Sequence, residues 1–272
     1  YVPFIPLGVW AHPQSISTWG DSAVEVPWTL YMESGDPQVL ADSYDLSRDW
    51  VNEVEQYLSP DGVWDRKPDF PLGQLGDWLD PTAPPEDPTQ AMTAKELVAT
   101  AFYARSCIQI TRIAEILGYA DDAARYAALR DHVIAGFLDR FIRLDGTMTS
   151  DTQCAYALAI AFGLLDGEPV RKVKAGNCLA CLVRESGGKV STGFAGTPFV
   201  LPALTQTGHD DEAYQLLTST ECPSWLYQVT MGATTTWERW DSMRPDRSLN
   251  PGGMTSFNHY ALGSVAEWMH AH

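Results

Sequence analysis

The stretch TAKELVATAFYARSCIQITRIAEILG, Thr93 to Gly118, followed by DDAARYAALRDHVIAGFLDRF, Asp121 to Phe141, decides the fold. In the first run Leu97, Ala101, Ala104, Ile108, Thr111, Ile113 and Ile116 recur at helical spacing, so they share a face of an α-helix. Gly118 supplies a residue that takes the left-handed conformation on which helices end. The second run begins almost at once and has the same period, which predicts a helical hairpin. Working outward, Ser22 to Ser34 follows Asp21, a favourable N-cap, and stops at Gly35-Asp36-Pro37; Val39 to Leu58 stops at Ser59-Pro60-Asp61-Gly62. Asp151 to Leu164 pairs with Pro169 to Glu185, Pro198 to Thr207 pairs with Asp210 to Thr218, and a last helix is expected from Phe257 to His270. No segment reads as a strand hairpin, so the class is all-α.

Successive helical hairpins form a stacked solenoid, a bundle, or a closed toroid of inner and outer helices. The repeat is irregular and shows no self-similarity, which argues against a tetratricopeptide or HEAT array. The connection from Ser59 to Gln90 is far longer than the usual ~4–6 residues. Its Pro and Asp content and its two tryptophans, Trp64 and Trp78, mark it as a functional loop. Long loops at alternate joints fit a toroid, in which loops at the inner-helix ends converge on one cavity.

With 272 residues, 45% apolar and 19% charged, the chain can bury a large core and is expected to form one domain. The net charge of −17, with no basic cluster beyond Arg171-Lys172-Val173-Lys174, excludes a phosphate-neutralising surface and hence nucleic acid as a partner. No apolar run is long enough to span a membrane. The five cysteines, an odd number and scattered, do not form a disulfide framework, and the cytoplasm is expected over the cell exterior. Cys178-Leu179-Ala180-Cys181 has CxxC spacing but no second ligand pair, so two core thiols on one helix are expected rather than zinc. No cofactor is implied. Walker, GxGxxG, HExxH and GxSxG motifs are absent.

What remains is carboxylates among aromatics, in a chain with ten Trp and 11 Tyr. Aromatic faces stack on sugars, and glycoside hydrolysis needs two carboxyl groups flanking the scissile bond. Glu238, in Thr234-Thr235-Thr236-Trp237-Glu238-Arg239-Trp240, is the leading candidate, because apolar walls can hold a carboxylate in a defined place. Thr235 and Glu238 also fit a capping box, and spacing alone does not decide between the two. Asp21, beside Trp19, reads first as an N-cap; at the start of an inner helix it would also face the cavity, with Glu25 one turn on. Asp77 and Trp78 form a like pair in the long loop, with a turn Asp and an anchoring Trp as the alternative. His259, in Ser256-Phe257-Asn258-His259-Tyr260, is either a site or a core residue, and Trp240 is counted among the sugar-facing aromatics. Pro223-Ser224-Trp225-Leu226-Tyr227 reads as cavity wall or core.

Taken in order, these segments resemble the bacterial and fungal α-L-rhamnosidases. The resemblance rests on Trp19-Gly20-Asp21-Ser22-Ala23-Val24, Pro27-Trp28-Thr29-Leu30-Tyr31, Gly76-Asp77-Trp78-Leu79 and Thr192-Gly193-Phe194-Ala195-Gly196-Thr197-Pro198. The Pro223, Thr234 and Ser256 segments quoted above complete it, so the match runs along the whole chain. It implies a six-hairpin α/α barrel that removes terminal α-L-rhamnose from glycosides with inversion, Glu238 matching the general base. Trp19, Trp78 and His259 match positions lining the sugar subsite. The family's general acid lies in an Asp-Glu-Arg-x-Gly-Trp-x-Gly-Asp run, and this sequence has none. The expectation is therefore a barrel incomplete at its N-terminal end, without the β-sandwich domains that flank it in the family and inactive by itself. Two other readings use the same residues: a glucoamylase-like or trehalase-like enzyme on the same toroid, and a non-catalytic carbohydrate-binding toroid with no need of Glu238.

Overall fold

In a computed structural model of the chain, which describes residues 15–66, 73–84 and 86–272, the described residues form ten α-helices and one 3₁₀ turn. The only β pairings among them are the isolated bridges Ile142 to Met148 and Met243 to Leu249. The chain's opening residues, Tyr1 to Pro6, and residues 67–72 and Pro85 of the long loop lie outside the described residues. Two units are distinguished: the described residues up to Gly76 together with Lys95–Phe141, and Asp77–Ala94 together with Ile142–His272.

The first unit holds α1 (Ser22–Ser34), α2 (Pro37–Glu55), α3 (Lys95–Leu117) and α4 (Ala120–Phe141). Two residues make the first joint. Gly35, at φ 69°, closes α1 by donating its amide to the Tyr31 carbonyl at 2.7 Å. Asp36 opens α2 by accepting from Gln38 N at 2.9 Å, with Pro37 in the first turn, where a missing N–H costs nothing. This cap starts α2 two residues before the expected Val39. On α2, Leu40, Tyr44, Ser47, Trp50, Val51 and Val54 form one buried stripe. α3 is buried on nearly every side from Leu97 to Ala114, and α4 adds the stripe Tyr126, Leu129, Val133, Gly136 and Phe137. Trp64, expected as part of a functional loop, is fully buried edge-on to Trp50 and Tyr103, so it anchors the loop in the core.

The second unit holds α5 (Gln153–Ala161), α6 (Pro169–Glu185), α7 (Thr197–Gln206), α8 (Asp210–Thr218), α9 (Trp225–Thr230) and α10 (Val265–Ala271), the last preceded by the 3₁₀ turn Ala261–Ser264. α5 is buried from Gln153 to Ile160 and packs against α6 and α7. Its Thr152 cap and the left-handed Gly163 shorten it relative to the expected span. Cys178 and Cys181 do share α6, but Cys181 is exposed and Cys178 half-buried, so the core-thiol expectation fails. α9 was expected only as wall or core. Ser224 caps it by accepting from Tyr227 N at 3.1 Å. The last helix is shorter than expected, because Phe257 to Tyr260 leave the helical path to pair with the Glu238 segment.

Candidate active site

In the second unit, residues 235–238 run beside residues 256–259. Glu238 N donates to the Ser256 carbonyl at 2.9 Å, His259 N to the Thr236 carbonyl at 2.9 Å, and Thr236 Oγ1 to the His259 carbonyl at 2.6 Å. Thr235 Oγ1 donates to the Phe257 carbonyl, so the capping-box reading of Thr235 and Glu238 is wrong: no helix begins there, and the threonines stitch two loop segments together. Between them Ser242 to Asn250 form a tight excursion, closed by Asn250 N to the Ser242 carbonyl at 3.0 Å and Arg244 N to the Ser248 carbonyl at 2.8 Å. Its tip, Arg244 to Leu249, is exposed.

The two tryptophans beside Glu238 turn into the core. Trp237 lies edge-on to Phe257 at 5.2 Å, and its amide donates to Gln228 Oε1 at 3.0 Å. Trp240 is 2% exposed, lies edge-on to Trp225, and donates its indole N–H to the Thr192 carbonyl at 2.9 Å. It therefore braces the segment and offers no ring face to a sugar.

Glu238 itself stays reachable, its side chain 15% exposed. Ser256 N donates to Oε2 at 3.1 Å, while Oε1 lies 4.0 Å from His259 Nε2. That separation is too long for a hydrogen bond, so Oε1 keeps its lone pairs. Ala261 N donates to His259 Nδ1 at 3.2 Å, which makes Nδ1 the acceptor and leaves the ring proton of the neutral imidazole on Nε2, toward Glu238. Phe194 covers the imidazole, ring centres 5.2 Å apart and 34° from parallel.

Phe194 comes from the loop leading into α7, and that loop is fixed by the Asp77–Trp78 segment. Phe194 N donates to the Trp78 carbonyl at 2.8 Å. Gly193 N and Gly196 N each donate to one oxygen of Asp77, both at 2.8 Å. A Cβ on Gly193 would stand 2.3 Å from the Trp78 carbonyl oxygen and 2.4 Å from that of Asp77, so only glycine allows this approach. Asp77 has no exposed surface, and burial pushes its carboxyl up to about 6 against the pull of the two amides, with Asp80 adding to the rise. The carboxylate expected at the sugar is thus enclosed by protein and held by backbone amides. Trp78 is 8% exposed.

The first unit holds the other acidic pair. Asp21 stands at the N-cap position of α1, as its place in the sequence suggests, but its side chain makes no capping hydrogen bond. Its buried carboxylate instead accepts from Thr18 N at 2.7 Å, Trp50 Nε1 at 3.0 Å and Ser106 Oγ at 2.7 Å. Burial raises its pKa against those donors. The Thr18 bond holds that residue at φ 73° next to half-buried Trp19. Glu25 takes both prongs of Arg105, at 2.7 and 2.6 Å, and Gln109 Nε2 at 2.7 Å. Burial opposes its charged form, but these donors prevail and hold it below the usual range. A cavity of about 110 Å³ opens among Thr18, Asp21, Glu25, Arg105 and Ser106. Among the described residues no group of three or more His, Cys, Asp or Glu is arranged to hold a metal ion.

Residues 1–272 match the family described as the bacterial alpha-L-rhamnosidase 6 hairpin glycosidase domain. The chain belongs to that family. An α-L-rhamnosidase of Streptomyces avermitilis is 41% identical over 256 residues, 94% of this chain and 23% of that protein. The crystal structure of native α-L-rhamnosidase from Aspergillus terreus aligns with a TM-score of 0.88 at 42% identity, over 94% of this chain and 29% of that one. The S. avermitilis enzyme complexed with L-rhamnose aligns at 0.82 and 39% identity, over 94% and 23%. The chain thus spans about a quarter of the length of these relatives. The helical hairpins described above are those of the six-hairpin glycosidase fold, as the rhamnosidase resemblance implied.

Within this rhamnosidase-family domain the structure brings together Asp77, Trp78, Glu238 and His259 through Phe194, and Trp19 and Asp21 lie in the first unit. Residue type does not mark Phe194 and the two glycines around it as part of a site, because the Thr192–Pro198 segment contains no acid or base.

Proposed function

We propose that this chain carries the water-activating side of an inverting α-L-rhamnosidase site, acting on terminal non-reducing α-L-rhamnose, with Glu238 as general base. The reading rests on one observation: Glu238 has one oxygen pinned by the Ser256 amide and the other unbonded beside His259 Nε2. The pinned oxygen fixes the direction of the carboxylate, and Oε1 is free to take a proton from a water. That water attacks the anomeric carbon from the side opposite the leaving oxygen, which inverts the configuration. The His259 Nε2–H is a donor for the sugar or the water, and Trp78, in the same unit, supplies an aromatic surface. Trp240 acts by fixing the Glu238 segment.

An inverting reaction needs a second carboxyl roughly 6.5–9.5 Å from the base. We assign that acid to sequence outside residues 1–272, so the 272-residue polypeptide alone is expected to bind without turning over. The test is hydrolysis of an aryl α-L-rhamnoside by an extended polypeptide that includes the acidic run, with the first-formed anomer read by NMR. Inversion, together with a ~10²–10⁴-fold loss of kcat in Glu238→Gln, supports the reading. Retention, turnover of glucosides instead, or a fully active Glu238→Gln variant overturns it. Rhamnose release by the 272-residue chain alone sinks the assignment of the acid.

A further inference from the structure

Asp77 is the one acid of the Glu238 cluster with no exposed surface, and both backbone amides that donate to its carboxylate come from a loop more than a hundred residues away in the chain, with the Cys154 thiol beside them. Each carboxylate oxygen takes a different amide, Gly193 N on Oδ2 and Gly196 N on Oδ1. The second of these amides belongs to the residue just before α7, where the helix dipole also favours a negative charge. The Trp78 carbonyl takes the Phe194 amide that lies between them. Three hydrogen bonds within four residues leave Phe194 no freedom to slide, and its ring covers one face of His259. The imidazole is then fixed from two directions, by Phe194 on its face and by the Ala261 amide on Nδ1, with Nε2 left toward Glu238.

We propose that Asp77 is a positioning residue: its carboxylate clamps the Gly193 and Gly196 amides and so seats Phe194 against the His259 imidazole that faces Glu238. This deepens the rhamnosidase reading and rests on Glu238 being the working carboxylate. The clamp needs two acceptor oxygens. Asparagine supplies one oxygen and sets an NH₂ against the other backbone N–H, so Asp77→Asn breaks one arm of the clamp while keeping the shape. The neighbouring polar groups do not substitute for it. The Asp80 carboxylate is already filled by the Thr82, Ala83 and Met92 amides, and Cys154 offers only a thiol.

The direct test is the proton NMR signal of His259 Cε1–H in the 272-residue chain, identified by its loss in His259→Gln. In the wild type the Phe194 ring displaces it upfield; Phe194→Leu and Asp77→Asn both return it toward the position of an open histidine, with the far-UV circular dichroism unchanged. An unmoved signal in folded Asp77→Asn overturns the proposal. A wild-type measurement guards against a variant that does not fold: the Gly193 and Gly196 amides are expected to exchange slowly with solvent at pH 7, and exchange of both at the rate of an open loop is a refutation. In the extended polypeptide, Asp77→Asn is expected to lower kcat by on the order of 10- to 100-fold with little change in KM, the signature of a misplaced group rather than a lost sugar contact. Loss of activity in Glu238→Gln with wild-type kcat and KM in Asp77→Asn defeats the clamp and leaves the function standing. An active Glu238→Gln variant defeats the function, while the NMR result still decides the clamp.

Discussion

Replacing Gly193 with alanine tests the packing on which the Glu238 site stands. The added methyl carbon would lie 2.3 Å from the Trp78 carbonyl oxygen, 2.4 Å from the Asp77 carbonyl oxygen and 2.7 Å from Asp80 N. All three are backbone atoms, so no side chain can swing aside. Restoring an ordinary separation of about 3.4 Å requires the two segments to part by about 1 Å. A shift of that size carries the Gly193 N to Asp77 Oδ2 and Phe194 N to Trp78 O bonds, each 2.8 Å, beyond hydrogen-bonding range. The bond to the charged carboxylate is worth about 1.5–3 kcal/mol and the neutral one about 0.5–1.5 kcal/mol. Overpacking adds about 1–3 kcal/mol, so the expected loss is about 3–7 kcal/mol. At ~2–4 °C per kcal/mol for a domain of this size, the melting temperature falls by at least ~6 °C. Urea and thermal unfolding followed by circular dichroism at pH 7 measure it. Gly167→Ala is the control, because a Cβ there meets nothing within 4 Å, and it should stay within about 0.5 kcal/mol of wild type. A folded Gly193→Ala variant that melts within 2 °C of wild type (roughly 1 kcal/mol at most) would refute the close-approach argument.

Ser224→Ala removes the cap of α9 and should cost about 1 kcal/mol in urea unfolding, with no change in m-value; an unchanged midpoint counts against α9 as a capped helix. Asp77 gives a pH signature with a definite sign. Its carboxyl is raised from 3.8 to about 6 in the fold, so the folded chain binds the proton more tightly than the unfolded one. The stabilisation is full below pH ~4 and is lost as pH rises through ~6, a change of about 3 kcal/mol at ~1.4 kcal/mol per unit. Urea-derived stabilities of wild type minus Asp77→Asn should therefore decline across pH 4.5 to 6.5, and a flat difference would show that burial does not govern this group.

The hairpins were legible because their signals are local. Gly35-Asp36-Pro37 both ends α1 and starts α2, and the α6 and α8 spans follow directly from their period and their flanking turns. α9 was hidden by its length of six residues, too few to show a period, although Ser224 carried a usable cap signal. Phe257 to Tyr260 read as helix in isolation, but pairing with the Glu238 segment overrides that preference. Asp21 shows the same limit from another side. A capping preference is written in neighbouring residues, whereas the Ser106 hydroxyl that claims its carboxylate is 85 positions away. Glu238 and His259 stand out by motif, whereas residue type alone puts Trp240 at the sugar and does not reveal that its indole N–H is committed to Thr192, 48 positions away.

The excursion from Ser242 to Asn250 leaves and re-enters the fold at one point, where the Asn250 amide meets the Ser242 carbonyl, and the segments it joins are fastened separately from Thr235 to His259. Its exposed tip can therefore grow or change composition without disturbing the register of those segments, since doubling such a loop costs only about 0.6 kcal/mol in closure entropy. The tip is thus a place where length and chemistry can change while the geometry around Glu238 is left as it is.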